Sequence, residues 1–360
     1  MLKDAIDLGD VHRALVIKLR HHGDVLLTSP VFTVLKNHAP QAEIDALVYQ
    51  DTADMLSGHP AISELFTIDR AWRKQGVIRQ LLHERRLLHG LRTRHYDLIV
   101  HLTENPRGAV LSHLLGARYG VARDYAKKRG KLWRTSFTHL YGIPSKPRHT
   151  VEIHLDALRR LGIYPGDDER ALTLVTGPGA EGAVNGLLEA HQVAPGEYVH
   201  VHPTSRWMFK CWDADKFAEL IDLLQDEGAR VVITAAPVES EIKYVSRITA
   251  RLHKPAVDLS GRLSLKQLAA LTAQAKCFVG VDSVPMHIAA AMQTPVVVLF
   301  GPSGDLEWGP WQVRSRVITS THSCRPCGLD GCGGSKISEC LTTIPVMRVL
   351  DAIHDLLRER

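Results

Sequence analysis

The chain has 360 residues, about twice the size of one ordinary domain, so two domains are expected. Hydrophobic residues make up 45% and charged residues 23%, which excludes a disordered or collagen-like chain. Net charge is +5 and mean hydropathy −0.07, and no uninterrupted apolar run is long enough to span a bilayer.

The N-terminal segment carries Asp4, Asp7 and Asp10 between short apolar steps. A secretory signal needs a basic start and a continuous apolar core, so a cytoplasmic address is expected. Ala14–Leu19, Ile44–Tyr49, Leu65–Ile68 and Tyr96–Leu102 then read as strands. Their near-continuous apolar character is that of parallel strands covered on both faces. Between them Val31–His38, Asp51–Ser57, Gln75–Arg94 and Arg107–Leu115 suit helices. This β-α-β-α order predicts a doubly wound α/β sheet.

Pro165, Gly166, Gly177, Pro178, Gly179, Pro195 and Gly196 mark residues 163–196 as a linker. Gly177 to Gly182 matches G-x-G-x-x-G after an apolar run. Pro178, however, lacks the N–H that a phosphate cradle needs, so the match reads as linker.

The pattern then restarts. Strands are expected at Tyr198–His202, Arg230–Thr234, Ala256–Leu259, Cys277–Val281 and Val296–Phe300. Helices are expected at Asp213–Glu227, capped by Gly228, at Glu239–Leu252, at Ser264–Ala275 with Ser264 as N-cap, and at Val284–Met292. A final helix, Ile344–Arg360, has an apolar stripe through Val346, Val349, Leu350, Ile353, Leu356 and Leu357.

Three motifs carry chemistry, each just past a strand's carboxyl end, where open α/β sheets bind ligands. In the first, from Lys18 to Pro30, Gly23 suits a tight turn and Asp24 offers a carboxylate to the crevice. Asp24 fits a general base or an Asx-turn residue equally well. Ser29 and Pro30 read as N-cap and first residue of the following helix. The second motif brings Thr204, Ser205, Arg206 and Lys210, hydroxyls and cations suited to a diphosphate. In the third, Asp282 and Ser283 turn the chain into a helix opened by Pro285. The free N–H groups of that helix start suit an anion, and His287 lies on its first turns. Gly301-Pro302-Ser303 adds a further crevice turn.

Together these motifs resemble glycosyltransferase family 9, the heptosyltransferases of bacterial lipopolysaccharide core assembly. The matches are Gly23-Asp24 with Ser29-Pro30, Thr204-Ser205 through Trp212, Val281-Asp282-Ser283 with His287, and Phe300 to Pro302. The tail from Cys324 to Leu341 is similar to the branch that adds the third heptose. The resemblance implies a GT-B fold, two Rossmann-like doubly wound domains facing across a cleft. Residues 1–180 would bind the acceptor, 181–342 the nucleotide sugar, and 343–360 would form a C-terminal helix.

It further implies an inverting, metal-independent transfer of L-glycero-D-manno-heptose from ADP-heptose to the inner core, expected on heptose II. Asp24 would be the base. Thr204, Ser205 and Lys210 would hold the diphosphate, with Asp282, Ser283 and His287 nearby. An acidic residue would contact the ribose; here Glu239 is taken, with Glu241 as the alternative. Val284 follows Ser283 where the family often has glycine. A GT-B transferase using another nucleotide sugar fits the same motifs.

The charge is unevenly placed. Residues 1–180 hold 26 Lys and Arg against 19 Asp and Glu, a net of +7, and the rest nets −2. Arg70 to Arg94 holds eight basic residues against Glu84, and Arg118 to Arg148 holds nine against Asp124. A solvated basic face is the bland account. Nucleic acid would suit it too, but it lies on the domain expected to meet the acceptor. An anionic glycolipid and a peripheral position on the cytoplasmic face of the inner membrane are therefore expected, without nucleic acid. Arg20, His22, Arg123, Lys127, Lys128 and Arg129 are the expected acceptor contacts.

Cys324, Cys327, Cys332 and Cys340 form C-x2-C-x4-C-x7-C, which fits a structural zinc site or a loop of reduced thiols. A zinc-containing nucleic-acid binder is the rival from another class. Such a protein has no need of Asp24, Lys210 and Asp282 at strand ends.

Overall fold

The computed structural model describes residues 4–125, 130–142 and 145–359, and divides into two units, Met1–Val175 and Thr176–Arg360. In the first unit the elements run β1 (Arg13–Lys18), α1 (His22–Leu26), α2 (Ser29–His38), β2 (Glu43–Tyr49), β3 (Leu65–Ile68) and α3 (Val77–Thr93). Then follow β4 (Leu98–His101), α4 (Pro106–Leu115), β5 (Tyr119–Arg123), α5 (Lys131–Thr135), β6 (His139–Tyr141) and α6 (Thr150–Arg160). The sheet order is β3-β2-β1-β4-β5-β6, and every pair is parallel. β1 and β4 are fully flanked, and their apolar side chains are buried on both faces, as their unbroken apolar runs require.

The second unit holds α7 (Pro178–Ala190), β7 (Tyr198–His202), α8 (Ala214–Asp226), β8 (Arg230–Ile233), α9 (Glu239–Thr249), β9 (Val257–Asp258) and α10 (Leu265–Ala273). It continues with β10 (Cys277–Val281), α11 (Val284–Ala291), β11 (Val296–Phe300), α12 (Asp305–Trp308), β12 (Ser315–Thr319), α13 (Glu339–Thr342) and α14 (Val346–Arg358). Its sheet order, β12-β11-β10-β7-β8-β9, repeats the first unit's connectivity and is again all parallel. Each unit is therefore a Rossmann-like sheet whose strand order reverses between its first and fourth strands. Among the described residues no helix is long and apolar enough to cross a membrane.

Several expectations change. Gly23 makes no tight turn; it lies inside α1, and Leu27 N–H donates to its carbonyl. Ser29 is not the N-cap of α2. Thr28 takes that place, while Ser29 Oγ accepts from Thr173 N–H. Residues 51–57 form a 3-10 turn over Gln50–Met55, not an α-helix. The linker around 163–196 contains α7, with Gly177 at its start and Pro178 in its first turn, so G-x-G-x-x-G here opens a helix without a preceding strand. The terminal helix α14 is part of the second unit's core: Val346, Val349, Leu350, Ile353 and Leu356 are buried with residues of α8 and the sheet. Ser264 caps α10 as expected, in a full capping box with Gln267.

One strand position is sterically committed. Gly280 of β10 stands opposite His202 of β7. A methyl group there would meet the His202 carbonyl oxygen and the Phe278 ring at 2.8 Å. Gly280→Ala should therefore cost about 1–3 kcal/mol through overpacking. Denaturant unfolding of the variant checks this; an unchanged midpoint would contradict it.

Candidate functional site

In the second unit the switch point lies between β7 and β10, and both strands deliver polar groups there. After β7 the chain runs through Thr204 and Ser205 into a 3-10 turn, Met208–Lys210. After β10 it turns at Asp282 and Ser283 into α11. Lys210 Nζ donates to Asp282 Oδ2 at 2.6 Å, joining the two motifs through a part-buried ion pair. An ammonium has three donors, so Asp282 fixes its direction and leaves others for an anion. Ser283 stands at the N-cap of α11 without bonding its N–H groups; its Oγ donates instead to the Val281 carbonyl at 3.2 Å. The positive end of α11 thus lies beside the Lys210–Asp282 pair.

The expected hydroxyls are used differently. Thr204 is fully buried and donates to Glu241 Oε2 at 2.7 Å, so it clamps the loop from within. Ser205, 4% exposed, lies 3.4 Å from the Asp282 carbonyl. The acidic residue also changes register. Glu239 is solvent-facing and ion-paired with Lys243 at 2.6 Å. Glu241 is the inward carboxylate, buried, bonded to Thr204 and accepting from Ala236 N–H at 3.2 Å. Two residues on a helix point about 200° apart, so only one of this pair can face the loop. His287 is buried within α11, whose residues from Pro285 to Ala291 are all buried.

Beneath this loop Thr272, His200, Thr234, His202 and Thr204 form a chain of contacts between 2.7 and 3.3 Å. Burial holds His202 down at about 3 and His200 well below its usual value, so both rings stay neutral and act as rigid polar supports.

In the first unit Asp24 sits on α1, past the end of β1. Its Oδ1 lies 3.7 Å from Lys18 Nζ and 3.8 Å from Arg20 Nε. Lys18 is 5% exposed and donates to the Leu102 carbonyl at 3.1 Å. It also lies 2.8 Å from His154 Nε2, and His154 Nδ1 lies 3.0 Å from the Leu27 carbonyl. Those partners assign the tautomer: Nδ1–H donates to Leu27 and Nε2 accepts from Lys18. Burial, opposed by the Asp24 charge, pushes the Lys18 ammonium down to about 8. The sequence alone does not single out Lys18 or His154 as site residues. Lys18 stood inside the first motif, but α6, which carries His154, gave no readable signal.

A cavity of about 580 Å³ opens at the carboxyl ends of the first unit's strands. Arg20, Arg70, Arg73 and Arg107 line it, opposed by Asp69, Glu84 and Glu104. Arg70 lies 4.0 Å over the Tyr49 ring and donates to the Arg20 carbonyl. Arg107 pairs with Glu84 and sits 5.8 Å from the Trp72 ring centroid. Of the expected acceptor contacts, Arg20 lines this cavity. The His22 ring is 2.6 Å from the Asp51 carbonyl, and Arg123 ends β5 with its Nε buried. Lys127, Lys128 and Arg129 lie outside the described residues. Arg70 and Arg73 belong to the basic run noted in the sequence, but only the fold selects which of its arginines face inward.

Cys324 and Cys327 are exposed, Cys332 is half-buried and Cys340 buried, all as free thiols. Burial, aided by the other three thiols, raises the Cys340 pKa. Among the described residues no group of three or more His, Cys, Asp or Glu side chains is placed to hold a metal ion. The segment is anchored to the turn after β11: Arg325 donates to the Gly301 carbonyl at 2.7 Å and to Asp305 at 3.1 Å.

Residues 84–336 match glycosyltransferase family 9 (heptosyltransferase). The chain is 38% identical over 294 residues to lipopolysaccharide heptosyltransferase 3 of Escherichia coli, covering 81% of this chain and 84% of that one. In fold it is similar to the glycosyl transferase family 9 structure from Veillonella parvula, with a TM-score of 0.85 and 22% identity, covering 99% of this chain and 100% of that one. It is also similar to the E. coli heptosyltransferase WaaC with ADP-2-deoxy-2-fluoro heptose, with a TM-score of 0.69 and 22% identity, covering 95% and 99%.

The buried lysine has a pH signature. Below pH 8 both folded and unfolded chains carry the Lys18 proton; between about 8 and 10.5 only the unfolded chain does. The unfolded state then binds more protons, so this contribution to stability rises with pH across that window. Lys18→Met removes it. From below pH 8 to above 10.5, wild type should gain up to about 3 kcal/mol relative to the variant. Denaturant midpoints of both proteins against pH check this, and parallel profiles would contradict it.

Proposed function

Because the chain belongs to glycosyltransferase family 9, we propose that it transfers L-glycero-D-manno-heptose from ADP-heptose to the inner core of lipopolysaccharide, as the third heptose, on heptose II. The observation that carries this reading is the Lys210–Asp282 pair beside the uncapped start of α11. It is a positive, preorganised corner at the switch point of a GT-B nucleotide-binding unit, suited to a diphosphate. The ADP-sugar in the WaaC structure supports the choice of nucleotide.

The reaction proceeds with inversion. The acceptor hydroxyl oxygen forms a bond to the anomeric carbon from the face opposite the diphosphate. The bond from that carbon to the diphosphate oxygen breaks, and ADP leaves with the electron pair. Asp24 takes the hydroxyl proton as attack proceeds. Negative charge grows on the leaving diphosphate, and Lys210 with the α11 N–H groups stabilises it most in the transition state. Lys18 and Arg20 hold the Asp24 carboxylate in place while it is charged.

On the acceptor side, the arginine-lined cavity of the first unit suits an anionic sugar, with Trp72 and Tyr49 as stacking faces. An acceptor built into a lipid puts the enzyme on the cytoplasmic face of the inner membrane, as a peripheral protein. A structural zinc on the four thiols remains a proposal from their spacing. Among the described residues the thiols do not converge on one point, and metal analysis of the purified protein tests the proposal.

Losing a positioned base removes about 10²–10⁴-fold in rate. Asp24→Asn should therefore lose turnover by about that factor while keeping wild-type affinity for ADP. Transfer assays and calorimetry on the same preparation check this. Near-normal transfer by the variant would overturn the assignment of the base.

A further inference from the structure

We propose that the N-terminal half of α3 is the element that seats this protein on an anionic lipid surface. The proposal deepens the peripheral-membrane reading above and rests on it for what the neighbouring cavity takes.

Helix α3 changes character along its length. Leu87 and Leu91, in its C-terminal half, are buried in the first unit's core. In its first turns Val77, Ile78, Leu81 and Leu82 are 83%, 78%, 57% and 48% exposed. Single exposed aliphatic residues are ordinary on soluble proteins. Four large ones within six residues are not, and such patches mark contact surfaces. By helical spacing Ile78 and Leu82 lie on the side turned away from Leu87 and Leu91, so no further packing within the unit covers them, while Leu81 lies on the flank above Leu88 and is still exposed.

The surrounding charge selects the occupant. Arg79, Arg85 and Arg86 on α3, and Arg73 and Lys74 in the turn just before it, are all exposed. None of the five forms an ion pair among the described residues. The one acid between Arg70 and Arg94, Glu84, is held by Arg107. An aliphatic face rimmed by arginines is the pattern of a helix lying in a membrane interface. Anionic headgroups attract the rim, and the acyl boundary takes the aliphatic side chains. A second copy would bring two like-charged rims together, which opposes association. Nucleic acid favours aromatic stacking faces, and this patch has none.

The same helix contributes Gln80 and Glu84 to the arginine-lined cavity. Gln80 and Glu84 lie on the side of α3 opposite Ile78 and Leu82, so seating the helix places the cavity about one helix diameter, roughly 10–12 Å, from the lipid surface, within reach of the sugars of a lipid-anchored acceptor.

The test uses the full chain and two kinds of vesicle. One is phosphatidylcholine alone, and the other contains about one-third phosphatidylglycerol. Wild type should co-sediment with the anionic vesicles and much less with the neutral ones. The triple variant Ile78→Ser, Leu81→Ser, Leu82→Ser should lose about tenfold or more in partition to anionic vesicles. Its melting temperature, and its transfer rate to a delipidated, water-soluble core acceptor, should match wild type. Arg79→Gln, Arg85→Gln, Arg86→Gln should abolish the preference for anionic vesicles. Three results would each overturn the proposal: wild-type binding by the serine variant, no vesicle binding by wild type, or a serine variant that alters only self-association in sedimentation velocity. Failure of wild type to transfer heptose to the soluble acceptor would sink the enzymatic reading instead, and leave the vesicle result to stand or fall by itself.

Discussion

A parallel sheet whose strand order reverses cannot cover the carboxyl ends of its two central strands. The chain leaves those strands in opposite directions, and a crevice remains between the departing segments. Everything chemical in this protein follows from that constraint, applied twice. β1 and β4 leave Lys18, Asp24 and the Thr103–Arg107 segment at one such place. β7 and β10 leave Lys210, Asp282 and the start of α11 at the other.

The two crevices treat charge differently. In the first unit a buried ammonium, Lys18, is satisfied by a carbonyl and a neutral imidazole and lies within ion-pair range of Asp24. Breaking such a set leaves a charge uncompensated, so its members act together. In the second unit, neutral groups supply the rigidity. His200, His202 and three threonines lie under the loop, and the charged pair sits at its edge, where a ligand can reach it. A transfer reaction needs this division. In the proposed reaction a base must stay charged until the acceptor arrives, and a diphosphate site must keep donors free beside its own counter-ion, as the remaining Lys210 N–H groups and the start of α11 do beside Asp282.

Much of this was readable in the sequence because central parallel strands are apolar on both faces. β10 and β11, central and apolar throughout, fall where their runs place them, at Cys277–Val281 and Val296–Phe300. Two strands have no such run: β5 reads Tyr-Gly-Val-Ala-Arg, and β6, at the sheet edge, is three residues beginning with histidine, so neither gives a periodic signal. The motif residues at strand ends were legible because strand ends were. Which of Glu239 and Glu241 faces inward was not, since both are first-turn acids and only packing of α9 decides. The same holds for the arginines, where a run of cations shows charge but not which side chains turn into a cavity. Gly23 misled for a related reason, because a glycine between polar residues reads as a turn until the helix around it is seen.

The central claim is the proposed transfer of heptose from ADP-heptose, with Asp24 proposed as the base and the α11 corner as the diphosphate site. The most direct measurement incubates the purified chain with ADP-heptose and a core acceptor ending at heptose II, then reads the product by mass and by anomeric configuration. The account predicts gain of a single heptose, in the linkage opposite to that of the donor. No transfer from ADP-heptose, with transfer from a different nucleotide sugar, would contradict it.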